Sequence, residues 1–372
     1  MELIAVLIIV AIIIVAELAI FEKNLFRGVT YTIRFSRHEA FEGETIEIIE
    51  EVINDKRLPV PWLKTEICTS RWLKFSGASS IGASEERFVP SVFSLRPKQK
   101  YTRVRKVTAL KRGVFSLKNV SVMATDLFGL VTVSKSVTID DSIRILPSPY
   151  EIAEGDLSSE ELLGEIMVRR FLCEDPFLIS GPREYTGREP MNRIHWEGTA
   201  VSGKIMAYKN DFSTENEGVI LLNLQKSPLG EPRPVMSDDM ETFIKAAAFI
   251  IHTFSEKRMG ISLGVNGSCP EGIFIAGGRE QEDYMALLRG LSDIESYCDK
   301  DFSDFVADLK LDDYTDIFVL TAYIDEEMLG FARYQKRFGR NVIFYCNDNV
   351  SDDLQIIRMG RVNRLYFLKN ED

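Results

Sequence analysis

Residues 316–346 read DIFVLTAYIDEEMLGFARYQKRFGRNVIFYC. Residues 316–321 and 341–346 are short apolar runs of strand length, and residues 326–338 between them carry a helical pattern. A strand, a helix and a second strand in this order predict a parallel pair joined by a crossover. The same alternation runs backwards to residue 218. Strands are expected at 219–224, 261–265 and 273–276, and helices at 238–257 and 281–295. Phe243, Ala247, Ile250, Ile251 and Phe254 recur near helical spacing in the first of these helices. Beyond residue 346 a short helix is expected at 352–359 and a closing strand at 364–368. This pattern implies a mainly parallel sheet with helices on both faces.

Upstream the pattern changes. Strands rich in β-branched and aromatic residues are expected at 29–35, 45–54, 64–70, 101–109, 113–125, 130–137 and 143–146. Turn formers such as Glu42-Gly43 and Lys111-Arg112-Gly113 separate them, which predicts an antiparallel sandwich. Residues 151–172 are acidic with helical propensity and read as a linker containing a helix. Ser158 and Glu161 are placed to cap its start. Residues 3–21, LIAVLIIVAIIIVAELAIF, contain one charge, Glu17, and are long enough to cross a bilayer. Lys23, Arg27, Arg34 and Arg37 follow this stretch and no basic residue precedes it. A cytoplasmic placement of the soluble part is therefore expected.

Charge supports the same division. The 372 residues sum to −11, but residues 1–27 carry −1, residues 28–147 carry +6 and residues 148–372 carry −16. An acidic chain of ordinary globular composition is not a general nucleic-acid binder. Five widely spaced cysteines without a CxxC pair, and three scattered histidines, argue against a disulfide framework or a zinc site and fit a reducing compartment.

Residues 183–212 read REYTGREPMNRIHWEGTAVSGKIMAYKNDF. Arg183, Tyr185, Pro190, Arg193, Ile194, His195, Trp196 and Ala200 match a pattern close to R-x-Y-x-P-G-D-P-x-R-R-I-H/D-W-K-x-x-A-R. The segment thus resembles the signature of the bacterial domain of unknown function 58 family. Arg188-Glu189 stand where that pattern has Gly-Asp, and Asn192 and Val201 stand where it has arginines. The resemblance implies a membrane-anchored chain ending in an α/β, Rossmann-type domain like that of von Willebrand factor A. It also implies a non-enzymatic adaptor or scaffold acting with a MoxR-type AAA+ ATPase.

The expected layout is therefore multidomain: a transmembrane anchor (1–27), an all-β Ig-like sandwich (28–147), a linker with a helix (148–180) and the α/β domain with the signature (181–372). Arg183, Tyr185, Arg193, His195 and Trp196 are the expected partner-binding residues, because arginine forks and aromatic faces suit such a surface. The competing reading pairs Arg193 with Glu189 or Glu197 and buries Trp196 in the core. Catalysis by His195 with Glu189 or Glu197 is disfavoured, since no nucleophile lies at a telling spacing. Domains of the von Willebrand factor A type often hold a divalent cation through D-x-S-x-S. Here Asn223, Gln225 and Ser227 occupy that motif and Ala322 follows Thr321, so the site is degenerate and no metal or other cofactor is expected. A metal-dependent adhesion or ligand-binding module is the alternative function. The run 96–112 holds eight basic and no acidic residues, as a solvated sheet face or a contact for anionic lipid.

Overall fold

The computed structural model describes residues 26–77, 81–83, 86–125, 132–148, 174–187, 191–212, 217–225, 238–267, 274–294, 298, 300–346, 354–359 and 364–368. The chain divides into two compact units, residues 1–148 and 149–372.

The first unit is a β-sandwich. One sheet has the order β1-β3-β8-β5 and the other β2-β10-β9-β4-β7-β6. The strands are β1 (Val29–Phe35), β2 (Glu39–Phe41), β3 (Thr45–Asn54), β4 (Val60–Ser70), β5 (Leu73–Phe75), β6 (Ile81–Ala83), β7 (Glu86–Leu95), β8 (Gln99–Ala109), β9 (Gly113–Thr125) and β10 (Thr132–Leu146). Alternation builds it: Tyr31, Ile33 and Phe35 of β1 point inward while Thr30, Thr32 and Arg34 face water. Ile46, Ile48, Leu63, Ile67, Leu73, Val107 and Leu117 complete a closed apolar core. The two runs expected at 130–137 and 143–146 are one strand, β10, with a register shift between Thr138 and Asp141. Strand β7 was hidden in the sequence by Pro90. The strand meets β6 only at Glu86, Arg87 and Phe88, so Pro90 lies where a missing N–H costs no ladder bond.

The second unit holds β11 (Glu174–Glu184), α1 (Trp196–Ser202), β12 (Met206–Phe212), β13 (Gly218–Leu222), α2 (Asp238–Lys257), β14 (Ile261–Val265), β15 (Phe274–Ile275), α3 (Gln281–Asp293), α4 (Phe302–Ala307), β16 (Asp316–Thr321), α5 (Glu326–Arg337), β17 (Asn341–Cys346), β18 (Leu354–Met359) and β19 (Arg364–Leu368). Strands β11 and β12 pair as a separate two-stranded sheet. A seven-stranded sheet runs β15-β14-β13-β16-β17-β19-β18. Its central strands β14, β13, β16 and β17 are parallel, and β13, β14 and β16 are buried at every position. That is why they read as continuous apolar runs rather than alternating ones.

One part of the expected layout is corrected here. No Rossmann-type, von Willebrand factor A-like domain is evident among the described residues: strand outweighs helix there, 49% against 24%, and the sheet is mixed. Strands β15, β18 and β19 are all antiparallel to their neighbours. The segment expected as a helix at 352–359 is strand β18, whose Ile356 and Ile357 favour an extended backbone once β19 supplies a ladder. No helix among the described residues is long and apolar enough to cross a membrane, and residues 1–25, which include the apolar run, lie outside them. The linker helix expected within 151–172 also lies outside the described residues, whereas residues 174–180, assigned to that linker, open strand β11.

Candidate functional site

The signature segment folds as a small unit on the β11–β12 hairpin. A 3-10 turn at Met191–Arg193 leads into Ile194, which is buried and bridges Ala207. His195 then starts α1. Its backbone N–H donates to the Met206 carbonyl (2.7 Å), and its Nδ1 accepts the Gly198 N–H (2.8 Å), capping the helix. Gly198 suits this approach, since a Cβ there would stand a tight 3.0 Å from both His195 Nδ1 and the Pro182 ring. Thr199 Oγ1 donates to the His195 carbonyl (2.9 Å) and accepts the Met206 N–H (2.9 Å), tying the helix to β12. Gly203, at φ 68°, ends the helix in the left-handed conformation.

This geometry gives His195 a local structural task. With Nδ1 accepting, neutral imidazole carries its proton on Nε2 and has no free lone pair for general-base work. Its ring also packs on Tyr208, with centroids 4.6 Å apart. Arg183, Tyr185 and Arg193 are half-buried around the hairpin, and the Tyr185 N–H donates to the Ile205 carbonyl (3.0 Å). Trp196 does not fill a core: it is 65% exposed. Glu197 is exposed, and Arg188, Glu189 and Pro190 lie outside the described residues. Met191, Ile205 and Val201, none of them among the expected partner-binding residues, join Trp196 as exposed apolar side chains, Val201 at 90%. The available signal was Val201 itself, an apolar residue where the family pattern carries arginine.

The strand ends at the expected cation motif are filled by amides. Asn223 Nδ2 donates to Thr321 Oγ1 (3.0 Å), and Asn223 Oδ1 accepts from Gln225 N (3.1 Å) and Asn266 Nδ2 (2.6 Å). Asn266 Oδ1 accepts the Leu224 N–H (2.6 Å). Gln225 Nε2 donates to Asp301 (2.7 Å), while its Oε1 accepts Phe302 N (3.0 Å) and Tyr323 OH (3.1 Å). Burial holds the Tyr323 phenol up to about 12. These buried groups satisfy one another and bring no carboxylate of the D-x-S-x-S kind, so they do not fit a hard divalent cation. Ser227 lies outside the described residues, and no group of three metal-ligating side chains occurs among those described.

The basic run does not present one face. Lys98 pairs with Asp55 (2.7 Å) and Lys100 with Glu51 (2.9 Å). Arg103 lies over the Phe93 ring (4.3 Å), and Arg105 turns inward, where its Nη2 donates to Ser91 Oγ (2.6 Å) and its Nε stands 3.9 Å from Glu50. Glu50 is wholly buried, and it accepts from Tyr31 OH (2.9 Å), Thr65 Oγ1 (2.9 Å) and Ser91 Oγ (3.3 Å). Burial, and then the Glu50 charge, push the Tyr31 phenol well above its usual range.

No family model matches the chain, and no curated protein matches it. Among solved structures, the CARDB domain of a Pyrococcus furiosus protein in complex with di-metal ions is similar over 32% of this chain and 94% of its own, at 14% identity and TM-score 0.21. A non-cellulosomal cohesin from Archaeoglobus fulgidus is similar over 33% and 94%, at 15% identity and TM-score 0.21. The sporulation control protein Spo0M of Bacillus subtilis is similar over 42% and 58%, at 12% identity and TM-score 0.20. Likenesses this loose assign neither fold nor activity.

Proposed function

We propose that this protein is a non-enzymatic adaptor, held at a membrane by its apolar amino terminus, whose signature hairpin docks a protein partner. The observation that carries this reading is the exposure of Trp196, with Met191, Val201 and Ile205 also exposed along the same short segment around the capped turn. A tryptophan and three aliphatic side chains kept in water cost solvation unless a partner covers them. The use of His195 as a cap speaks against hydrolysis, and the amide-filled strand ends speak against a cation-dependent adhesion module. The likeness to the domain of unknown function 58 signature suggests a MoxR-type AAA+ ATPase as the partner.

The test is affinity recovery from native membranes with the full chain, comparing the parent with Trp196→Ala and Val201→Glu. Both variants alter exposed side chains and are first checked for an unchanged unfolding midpoint. Recovery of an AAA+ ATPase by the parent, reduced roughly 10-fold or more in the variants, is expected, since an exposed aromatic anchor carries that share of an interface. Equal recovery by all three would place the partner elsewhere. Recovery of no ATPase by the parent would end the proposed pairing.

A further inference from the structure

The sandwich carries a second surface with a defined chemistry, the outer edge of β8. Strand β5 covers only the end of β8, pairing Leu73, Lys74 and Phe75 with Ala109, Thr108 and Val107. The Ser76 N–H extends this by donating to the Lys106 carbonyl (3.0 Å), and the Leu110 N–H donates to the Trp72 carbonyl (2.8 Å). Even-numbered residues of β8 therefore turn their backbone groups toward β5, and odd-numbered ones toward β3, as the Ala109 N–H to Glu44 carbonyl bond shows (3.1 Å). Lys100, Thr102 and Val104 continue the even series past the end of β5. Their outward N–H and C=O groups meet no strand among the described residues.

Charge is ordered across this edge. The edge strand carries no acid, and its exposed bases are Lys100 and Lys106, with Lys74 on the adjoining β5, whereas Arg103 and Arg105 turn toward Phe93 and Glu50. The acids that balance it, Glu47, Glu50 and Glu51, stand on β3, one strand further in, opposite Lys106, Arg103 and Thr102. Tyr101 and Val104 are exposed on the same strand, and Val92 is exposed on β7. The neighbouring edge of β7 is closed differently, by Pro90 and by Arg103 Nη2, which donates to the Val92 carbonyl (3.2 Å). Of these two edges, β8 keeps three residues whose outward backbone groups pair with no strand among the described residues.

We propose that the outer edge of β8, at Lys100, Thr102 and Val104, accepts an extended acidic segment of a partner protein as an added strand. Backbone pairing supplies affinity, and the lysines select a segment with acids at alternate positions. A second copy of this chain is disfavoured because two such edges would set lysine against lysine.

The full chain is titrated into three labelled seven-residue peptides, read by fluorescence anisotropy at two salt concentrations. One alternates glutamate with valine, one alternates lysine with valine, and one repeats the first with alternate backbone nitrogens methylated. The proposal expects saturable binding of the first, at least 10-fold weaker binding of the other two, and a comparable loss in Thr102→Pro and in Lys100→Gln/Lys106→Gln. The methylated peptide tests strand pairing without altering the protein, so a variant that fails to fold does not decide the result. Equal binding of the methylated peptide would reduce the surface to charge attraction and overturn strand addition. No binding of the first peptide, or a concentration-dependent dimer that Thr102→Pro abolishes, would overturn it as well. The proposed adaptor function can fail independently, since Trp196→Ala is expected to leave peptide binding unchanged.

Discussion

Replacing Glu50 by leucine tests whether the sandwich depends on its buried polar cluster. The carboxylate is wholly enclosed and accepts from Tyr31, Thr65 and Ser91, with Arg105 Nε 3.9 Å away. Removing it leaves three buried hydroxyls without their acceptor and a largely enclosed guanidinium without its counter-charge. Breaking a buried ion pair from one side costs about 3–5 kcal/mol. Glu50→Gln keeps one oxygen acceptor and loses the charge, so about 2 kcal/mol is expected. Glu50→Leu/Arg105→Met removes both charges together and should be less destabilised than Glu50→Leu alone, because the stranded cation goes with its partner. Urea unfolding followed by tryptophan fluorescence measures this cleanly in a Trp196→Phe background, where Trp62 and Trp72 of the sandwich are the remaining reporters. A loss for Glu50→Leu under about 1 kcal/mol would refute the reasoning, since that is the size of an ordinary surface change.

Four further outcomes are expected. The Tyr323 phenol is held up to about 12 against 10.0 unfolded, so its contribution is whole below pH 10 and lost as pH rises toward 12. Tyr323→Phe should remove about 3 kcal/mol of that alkaline decline, read from unfolding midpoints across the range. A Cβ at Gly277 would fall on the Ile261 carbonyl, so Gly277→Ala should cost about 2 kcal/mol or more in thermal unfolding, and an unchanged midpoint would contradict that packing. Asn223→Asp exchanges the donor to Thr321 for a buried charge and should lower the midpoint by about 2–4 kcal/mol equivalent. Millimolar magnesium should leave the parent's midpoint where it is, and a dose-dependent rise would sink the amide reading of the strand ends.

Much of the local architecture was legible because burial writes itself into residue order. Continuous apolar runs such as residues 316–321 and 341–346 announce strands covered on both faces, and the alternation of residues 29–35 announces a strand covered on one. Pro90 concealed β7, because a proline is acceptable in a strand only when the neighbouring side is open, and that is a property of the assembled sheet. The helix expected at 352–359 gives way to a strand at 354–359, because so short a segment with isoleucines carries no decisive period of its own. The ladder with β19 settles its conformation.

Residue order alone carries the change from β-rich to alternating pattern, the opposite charges of the two halves, and the amides standing at the cation motif, since each is a matter of composition and position. Tertiary structure alone decided the rest. Sheet direction depends on long-range pairing, so the antiparallel β15, β18 and β19 replaced the Rossmann-type expectation. Exposure depends on which neighbours arrive, so Trp196 stood in water while Arg105 and Glu50 went inside. The task of a histidine depends on where its ring nitrogen points, and in His195 that nitrogen points at the backbone of its own helix.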